Sequence, residues 1–102
     1  MSVVEGFESL TGSYLGQDWD LFGATPDESL VNFVKHRRRD VAASIEGFDR
    51  LLASSMTEDE LDRHWIYELH AGYDPRDDGF TYREWFAHAR DLLQSEAAKR
   101  SG

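Results

Sequence analysis

The sequence predicts an all-α protein, a compact bundle of about five short helices. The pattern Thr-x-x-Glu, which is typical of the capping box at a helix start, occurs three times, and each copy precedes apolar residues at helical spacing. No segment alternates strictly between apolar and polar residues, as a half-buried strand would. The three capping-box patterns are Thr25/Glu28, Thr57/Glu60 and Thr81/Glu84.

The length of 102 residues predicts one domain. A chain of this size buries about two-thirds of the surface that its unfolded form exposes, which is sufficient for one hydrophobic core. We therefore expect residues 1–102 to form a single helical domain. Residues 97–102 have no large apolar side chain, and we expect this tail to fray.

The first two predicted helices lie in the N-terminal third of the chain. Apolar residues at i, i+4, i+7 and i+11, followed by Gly16, predict a helix over about residues 4–15. The second helix begins at Pro26, whose fixed φ suits the first helical position, and ends near His36. The apolar residues of these two helices are Val3, Phe7, Leu10 and Tyr14, then Leu30, Phe33 and Val34.

Three further helices follow the same pattern. The third covers about residues 38–53 and tolerates Gly47 at a cost of about 1 kcal/mol. The fourth covers about residues 58–70, with Gly72 as its stop, and the fifth follows Thr81. Their inward residues are Val41, Ile45, Phe48 and Leu52, then Leu61, Trp65 and Leu69, then Tyr82, Trp85, Phe86, Ala89 and Leu93.

The charge balance restricts the partners. The chain carries 20 acidic and 11 basic residues, a net charge of −9. This charge repels nucleic acids and anionic membranes and favours basic partners, so we expect neither nucleic acid nor membrane as a partner.

The sequence has no apolar stretch of the roughly 18–20 residues that a membrane-spanning helix needs, and residues 1–16 lack the basic residues of a signal peptide. The absence of cysteine fits a reducing compartment, and we expect a cytoplasmic location.

No pattern in the sequence is typical of a catalytic centre, and we expect no catalytic residue, no metal and no cofactor. The serines lie outside any nucleophile elbow, and there is no glycine-rich phosphate loop. Glu60, His64 and Glu68 are spaced i, i+4, i+8, which leaves a metal-dependent enzyme as a weaker hypothesis.

Residues 73–79 are superficially similar to a calcium loop. In that alignment Arg76 would occupy the third ligand position and Trp85 the twelfth, where a bidentate Glu belongs. We therefore expect a turn that starts at Asp74-Pro75 and ends at Gly79.

Two further features have alternative interpretations. Lys35-His36-Arg37-Arg38-Arg39 is a basic run in an acidic chain, and intramolecular charge balance is a simpler explanation for it than DNA binding. Trp19 lies between Asp18 and Asp20, where it could be an exposed interface anchor or a plug of the helical bundle, and the second interpretation is favoured.

Several motifs occur in order along nearly the whole chain. They are Phe7-x-x-Leu10 with Gly12-x-Tyr14, Gln17-Asp18-Trp19-Asp20-Leu21, Thr57-Glu58-Asp59-Glu60-Leu61, Tyr73-Asp74-Pro75 and Gly79-Phe80-Thr81-Tyr82-Arg83-Glu84-Trp85. With them the chain resembles the small α-helical immunity proteins of contact-dependent growth inhibition, the CdiI-type immunity family. The run Lys35–Arg39 is more basic than this resemblance leads us to expect.

The resemblance implies a cytoplasmic, non-enzymatic antitoxin. Its partner would be the cognate toxin domain at the C-terminus of a large exported effector protein, which it would neutralise by covering the active site. Nucleases are common among such toxins, and a basic nuclease groove would suit an acidic protein. The alternative function is a small acidic helical adaptor or transcriptional regulatory module.

The resemblance implies that shared motif residues hold the fold, so we expect Trp19, Tyr82 and Trp85 in the core. We expect toxin contacts instead among acidic residues on helix faces and loop tips outside the apolar stripes. These are Glu46, Asp49, Glu58, Asp59, Asp62, Asp77 and Asp78.

Overall fold

A computed structural model describes residues 7, 10–16, 19, 23–69 and 71–101. This part of the chain contains four α-helices and no strand, so the all-α prediction is confirmed. The helices are α1 (Pro26–His36), α2 (Arg38–Ala53), α3 (Glu58–Asp62) and α4 (Tyr82–Ser101). Shorter elements are a π-helical turn at Leu10–Tyr14, a π-helical segment at Arg63–Glu68 and a 3₁₀ helix at Pro75–Asp78.

The predicted count of about five helices is wrong, because the described residues form four. Of the first predicted helix, residues 4–15, the described part includes Phe7, which is helical, and the π-helical turn, in which the Leu15 N–H donates to the Leu10 carbonyl at 2.7 Å. Val3 and the other residues before Phe7 lie outside the described part. The helices are also not uniformly short, since α4 has 20 residues.

The predicted bounds of α1 and α2 are confirmed. The two helices are separated at Arg37, whose φ of −130° and ψ of 47° depart from helical geometry. Lys35 and His36 lie in the last turn of α1, where positive charge complements the helix dipole. The fourth predicted helix is α-helical only to Asp62 and continues as the π-helical segment, and His70 lies outside the described residues.

All three threonine caps form. At α3 and α4 the box is reciprocal: the Thr hydroxyl accepts from the Glu N–H, and the Glu carboxylate accepts from the Thr N–H. At α1 the Thr25 hydroxyl accepts from the Glu28 N–H at 3.2 Å, but the Glu28 carboxylate accepts from the N–H of Ala24. Local spacing therefore predicted each helix start correctly.

The core is rich in aromatic rings that several elements supply. The long helix α4 packs against α1 and α2, and it buries Tyr82, Trp85, Phe86, Ala89 and Leu93 as predicted. Trp65, from the π-helical segment, packs against both Phe7 and Trp85, with 5.6 Å between the ring centroids in each pair. The indole N–H of Trp65 donates to the Tyr73 carbonyl at 2.9 Å, so the loop after this segment is tied to the core.

The C-terminal tail continues α4 to Ser101, and Ala97 packs half-buried against the core. Fraying of residues 97–102 in solution stays a prediction.

Candidate functional site

Carboxylates are concentrated where α3, the 3₁₀ helix and the start of α4 meet. We call residues 58–62 and 74–78 the acidic end; it holds seven acidic residues and one arginine. The Thr57 capping box sets the start of α3. The 3₁₀ helix begins at Asp74-Pro75 and ends at Gly79, whose φ of 85° is in the left-handed region that favours glycine. The turn predicted from these residues is therefore present as a single 3₁₀ turn.

Arg76 joins the two parts of the acidic end. Its guanidinium donates to both carboxylate oxygens of Asp74, at 3.1 and 3.0 Å, and to Asp62 at 2.9 Å. The same guanidinium lies 5.3 Å from the ring centroid of Tyr82. The single proton of the Tyr82 hydroxyl is donated chiefly to Asp62 at 2.6 Å, and Asp74 is a more distant second acceptor at 3.3 Å. Four side chains from three elements thus hold one another in place.

These contacts change the ionisation of the groups. Hydrogen bonds from Arg76 lower the pKa of Asp74, and the bonds to Asp74 in turn raise the pKa of Arg76. Burial, followed by the hydrogen bond to Asp62, raises the pKa of Tyr82. Around neutral pH the junction therefore contains ionised Asp74, charged Arg76 and neutral Tyr82.

Glu58 has a structural role within the acidic end. Its carboxylate accepts from the N–H groups of Tyr82 and Arg83, at 2.6 and 3.2 Å, and so caps the first turn of α4 together with Thr81. This contact joins the starts of α3 and α4.

Arg83 stabilises the fold, a role that the sequence did not predict. Its guanidinium donates to the carbonyls of Leu52, Ser54 and Met56, at 3.0, 2.8 and 2.6 Å, where the chain leaves α2. These partners are 27 to 31 residues away in sequence, so no local pattern could have identified the contact. With Gly79 at the turn, Thr81 and Glu84 in the cap, and Trp85 in the core, the motif at 79–85 maintains the fold.

Five of the seven predicted toxin-contact residues lie in the acidic end. Asp59 and Asp77 are exposed, and neither side chain has a partner among the described residues. Asp78 is exposed and accepts from the Tyr73 hydroxyl at 2.7 Å. Glu58 and Asp62 are half-buried and bonded as described above.

The other two predicted residues lie on α2, and each is paired with an arginine. Glu46 accepts from Arg50 at 2.6 Å, within the same helix. Asp49 accepts from Arg90 of α4 at 2.8 Å, and that bond raises the pKa of Arg90. The structure therefore separates the candidates into a group of five and a pair.

Of the three aromatic residues expected in the core, two are core residues and the third packs against the core. Tyr82 and Trp85 are buried. Trp19 is half-buried and packs against the core, with its ring centroid 5.5 Å from that of Tyr73. Its neighbours Asp18 and Asp20 lie outside the described residues.

The metal hypothesis on Glu60, His64 and Glu68 finds no support in the described part of the chain, where no three His, Asp or Glu side chains are placed to hold an ion. The Glu60 carboxylate is bonded within the capping box, and His64 contacts Glu68 but not Glu60. In the superficial calcium loop, Asp74 is bonded to Arg76 and Asp78 to Tyr73.

The basic run Lys35–Arg39 is exposed along its whole length. Among the ion pairs of the described residues, none involves Lys35, Arg37 or Arg39. Direct ion pairs therefore do not explain the presence of these three cations. Any intramolecular charge balance between them and the acidic residues acts over longer distances than an ion pair.

The fold and this site define a small all-α protein with one strongly acidic end. None of its described helices is long and apolar enough to cross a membrane. The family model described as CdiI immunity protein matches residues 4–93, and the chain belongs to that family. No curated protein and no solved structure matches the chain.

Proposed function

We propose that this protein neutralises one cognate toxin domain by binding it through the acidic end and covering its active site. Membership of the immunity family supports the toxin as the partner. The observation that supports the acidic end as the interface is the exposure of Asp59 and Asp77 without intramolecular partners. The toxin domain would belong to a large exported effector, and the immunity protein would act in the cytoplasm.

The acidic end is built to bind a basic surface at little cost. Unpaired exposed carboxylates do not have to give up an internal ion pair when a cation approaches, in contrast to Glu46 and Asp49. The contacts of Arg76, Asp74 and Tyr82 fix the backbone beneath them before binding, which reduces the entropy that association costs. A negative field accelerates encounter with a basic groove, such as that of a nuclease.

Covering an active site requires no chemistry by the immunity protein. In this proposal Asp59, Asp77 and Asp78 contact the toxin, while Glu58 and Asp62 hold the surface in shape. Glu46 and Asp49 form a smaller second candidate patch on α2.

The test uses the toxin domain of the effector, which this proposal expects to be encoded immediately upstream of the immunity gene. Co-expression should restore growth of cells that produce the toxin domain, and the two proteins should co-purify as a complex. Titration of toxin activity should reach zero at one immunity protein per toxin, because inhibition by covering is stoichiometric. Failure to restore growth and to co-purify would contradict the proposal, and inhibition at far lower ratios would indicate an enzymatic antidote instead.

A further inference from the structure

The π-helical segment Arg63–Glu68 presents an exposed aromatic ring. Tyr67 is 69% exposed, and among the described residues it is the one large hydrophobic side chain that is exposed to solvent. Two residues earlier, Trp65 is completely buried. Single exposed apolar residues are common on protein surfaces, so the significance of Tyr67 depends on what surrounds it.

The backbone beneath Tyr67 is held by hydrogen bonds and by the buried side chain of Trp65. The Leu69 N–H donates to the His64 carbonyl at 2.9 Å, and the Ala71 N–H donates to the Trp65 carbonyl at 3.1 Å, so the segment ends in wide turns. Trp65 fixes the segment to the core through its ring contacts and its bond to the Tyr73 carbonyl. Wide π-type turns within helices occur frequently at functional sites. A backbone that is already fixed does not have to be ordered when Tyr67 is covered, which reduces the entropy that binding costs.

The charge around Tyr67 indicates what could cover it. Residues 58–68 hold five acidic residues and one arginine. Asp59 is exposed without a side-chain partner among the described residues, and the exposed carboxylates of Glu60 and Glu68 are bonded to Thr57 and His64. Hydrogen bonds from Thr57 lower the pKa of Glu60, which keeps its carboxylate ionised. A cationic surface would therefore be attracted to the segment, whereas an acidic or purely apolar one would be disfavoured.

Tyrosine suits such a partner better than an aliphatic residue would. The face of its ring attracts Lys and Arg side chains, and this attraction strengthens when water is excluded. Tyrosine is also among the residues that most often dominate the binding energy of protein interfaces. We propose that Tyr67 is an interface anchor of this protein, and that its ring packs against Lys or Arg side chains on the basic surface of the toxin. This inference rests on the proposed function and extends its interface along the π-helical segment.

The test measures toxin affinity for Tyr67→Ala, Tyr67→Leu and Tyr67→Phe, with the upstream-encoded toxin domain as the probe. Replacement by Ala or Leu should weaken binding by about tenfold or more, chiefly through faster dissociation. Phe keeps the ring and should stay within about threefold of the wild type. Ser95→Ala, an exposed change on α4, is the control and should not alter affinity. Thermal unfolding should be unchanged in all four variants, because both positions are exposed.

The possible outcomes separate the two proposals. If the wild-type protein does not bind the toxin domain, the proposed function fails. If the wild type binds but Tyr67→Ala binds equally well, the anchor alone is refuted. Phe as weak as Ala would refute the ring contact with a cation. If Tyr67→Ala changes the oligomeric state of the protein in the absence of toxin and leaves toxin affinity intact, Tyr67 contacts a second copy of the chain. This result would also refute the anchor.

Discussion

Gly47 illustrates how one residue depends on its tertiary neighbour. It lies in the middle of α2, where helix propensity alone disfavours glycine by about 1 kcal/mol. A Cβ at this position would lie 2.9 Å from two ring atoms of Phe7, closer than carbon atoms pack. The missing side chain therefore admits the Phe7 ring, which also packs 4.7 Å from Phe48 between ring centroids.

We expect Gly47→Ala to destabilise the protein by about 1–3 kcal/mol, because crowding against Phe7 outweighs the gain in helix propensity. Urea unfolding followed by circular dichroism measures the free energy. The combination with Phe7→Leu should cost less than the sum of the two single changes, since the smaller side chain relieves the crowding. A stabilised Gly47→Ala variant would show that helix propensity dominates at this site.

Individual residues also differ in how well the sequence predicted their roles. Buried Tyr82 and Trp85 were predicted correctly from their spacing on one helix face. The contacts of Arg83 with three carbonyls were not predicted, because its partners come from the end of another helix. When a charged residue lies next to buried aromatic residues in the sequence, no local pattern shows whether its side chain is bonded within the fold or exposed to solvent.

At the scale of elements, the junction of α3, the 3₁₀ helix and α4 depends on ionised Asp74. The pKa of this carboxyl in the folded protein lies below its ordinary value of 3.8, chiefly because Arg76 donates to it. The unfolded chain therefore binds the proton more tightly than the folded chain does. The resulting stabilisation is present above about pH 4 and is lost as the pH falls through the folded pKa.

We expect Asp74→Asn to reduce stability at neutral pH and to flatten the fall in unfolding free energy between about pH 5 and about pH 2. Chemical unfolding at a series of pH values measures this dependence. Asp77→Asn, in the 3₁₀ helix that Asp74 caps, is a matched control, because the Asp77 side chain has no partner among the described residues. An acid dependence of Asp74→Asn equal to that of the wild type would mean that Arg76 does not stabilise the junction through this carboxylate.

The π-helical segment shows a limit of pattern reasoning at this scale. Leu61, Trp65 and Leu69 are spaced by four residues, and all three are buried as predicted. That spacing is compatible with an α-helix as well as with the wider turn that the structure has. The wider turn is closed by backbone bonds from Leu69 to His64 and from Ala71 to Trp65, and the apolar spacing carries no information about them.

For the whole molecule, the net charge of −9 matters less than its distribution. The acidic end contains seven of the 20 acidic residues, whereas the exposed run Lys35–Arg39 is basic. A toxin with a basic surface would therefore meet this protein in a preferred orientation, and association would slow as salt screens the field.

We expect the pair Asp59→Lys and Asp77→Lys to lower the association rate with the toxin domain and to flatten its dependence on salt, with folding intact. Stopped-flow mixing at several salt concentrations measures both quantities. Glu46→Lys with Asp49→Lys is matched in charge and should have the smaller effect. The opposite ranking would move the interface to α2, and equal effects would mean that only net charge matters.

The sequence by itself determined the helical class, the bounds of α1 and α2, the starts of α3 and α4, and most of the core. These features arise from hydrogen bonds and side-chain spacing within three or four residues along the chain. Only the tertiary structure decided which carboxylates are engaged and which are free. Asp62 and Arg76 are 14 residues apart, and Glu58 reaches Tyr82 over 24, so their partners depend on how the helices pack.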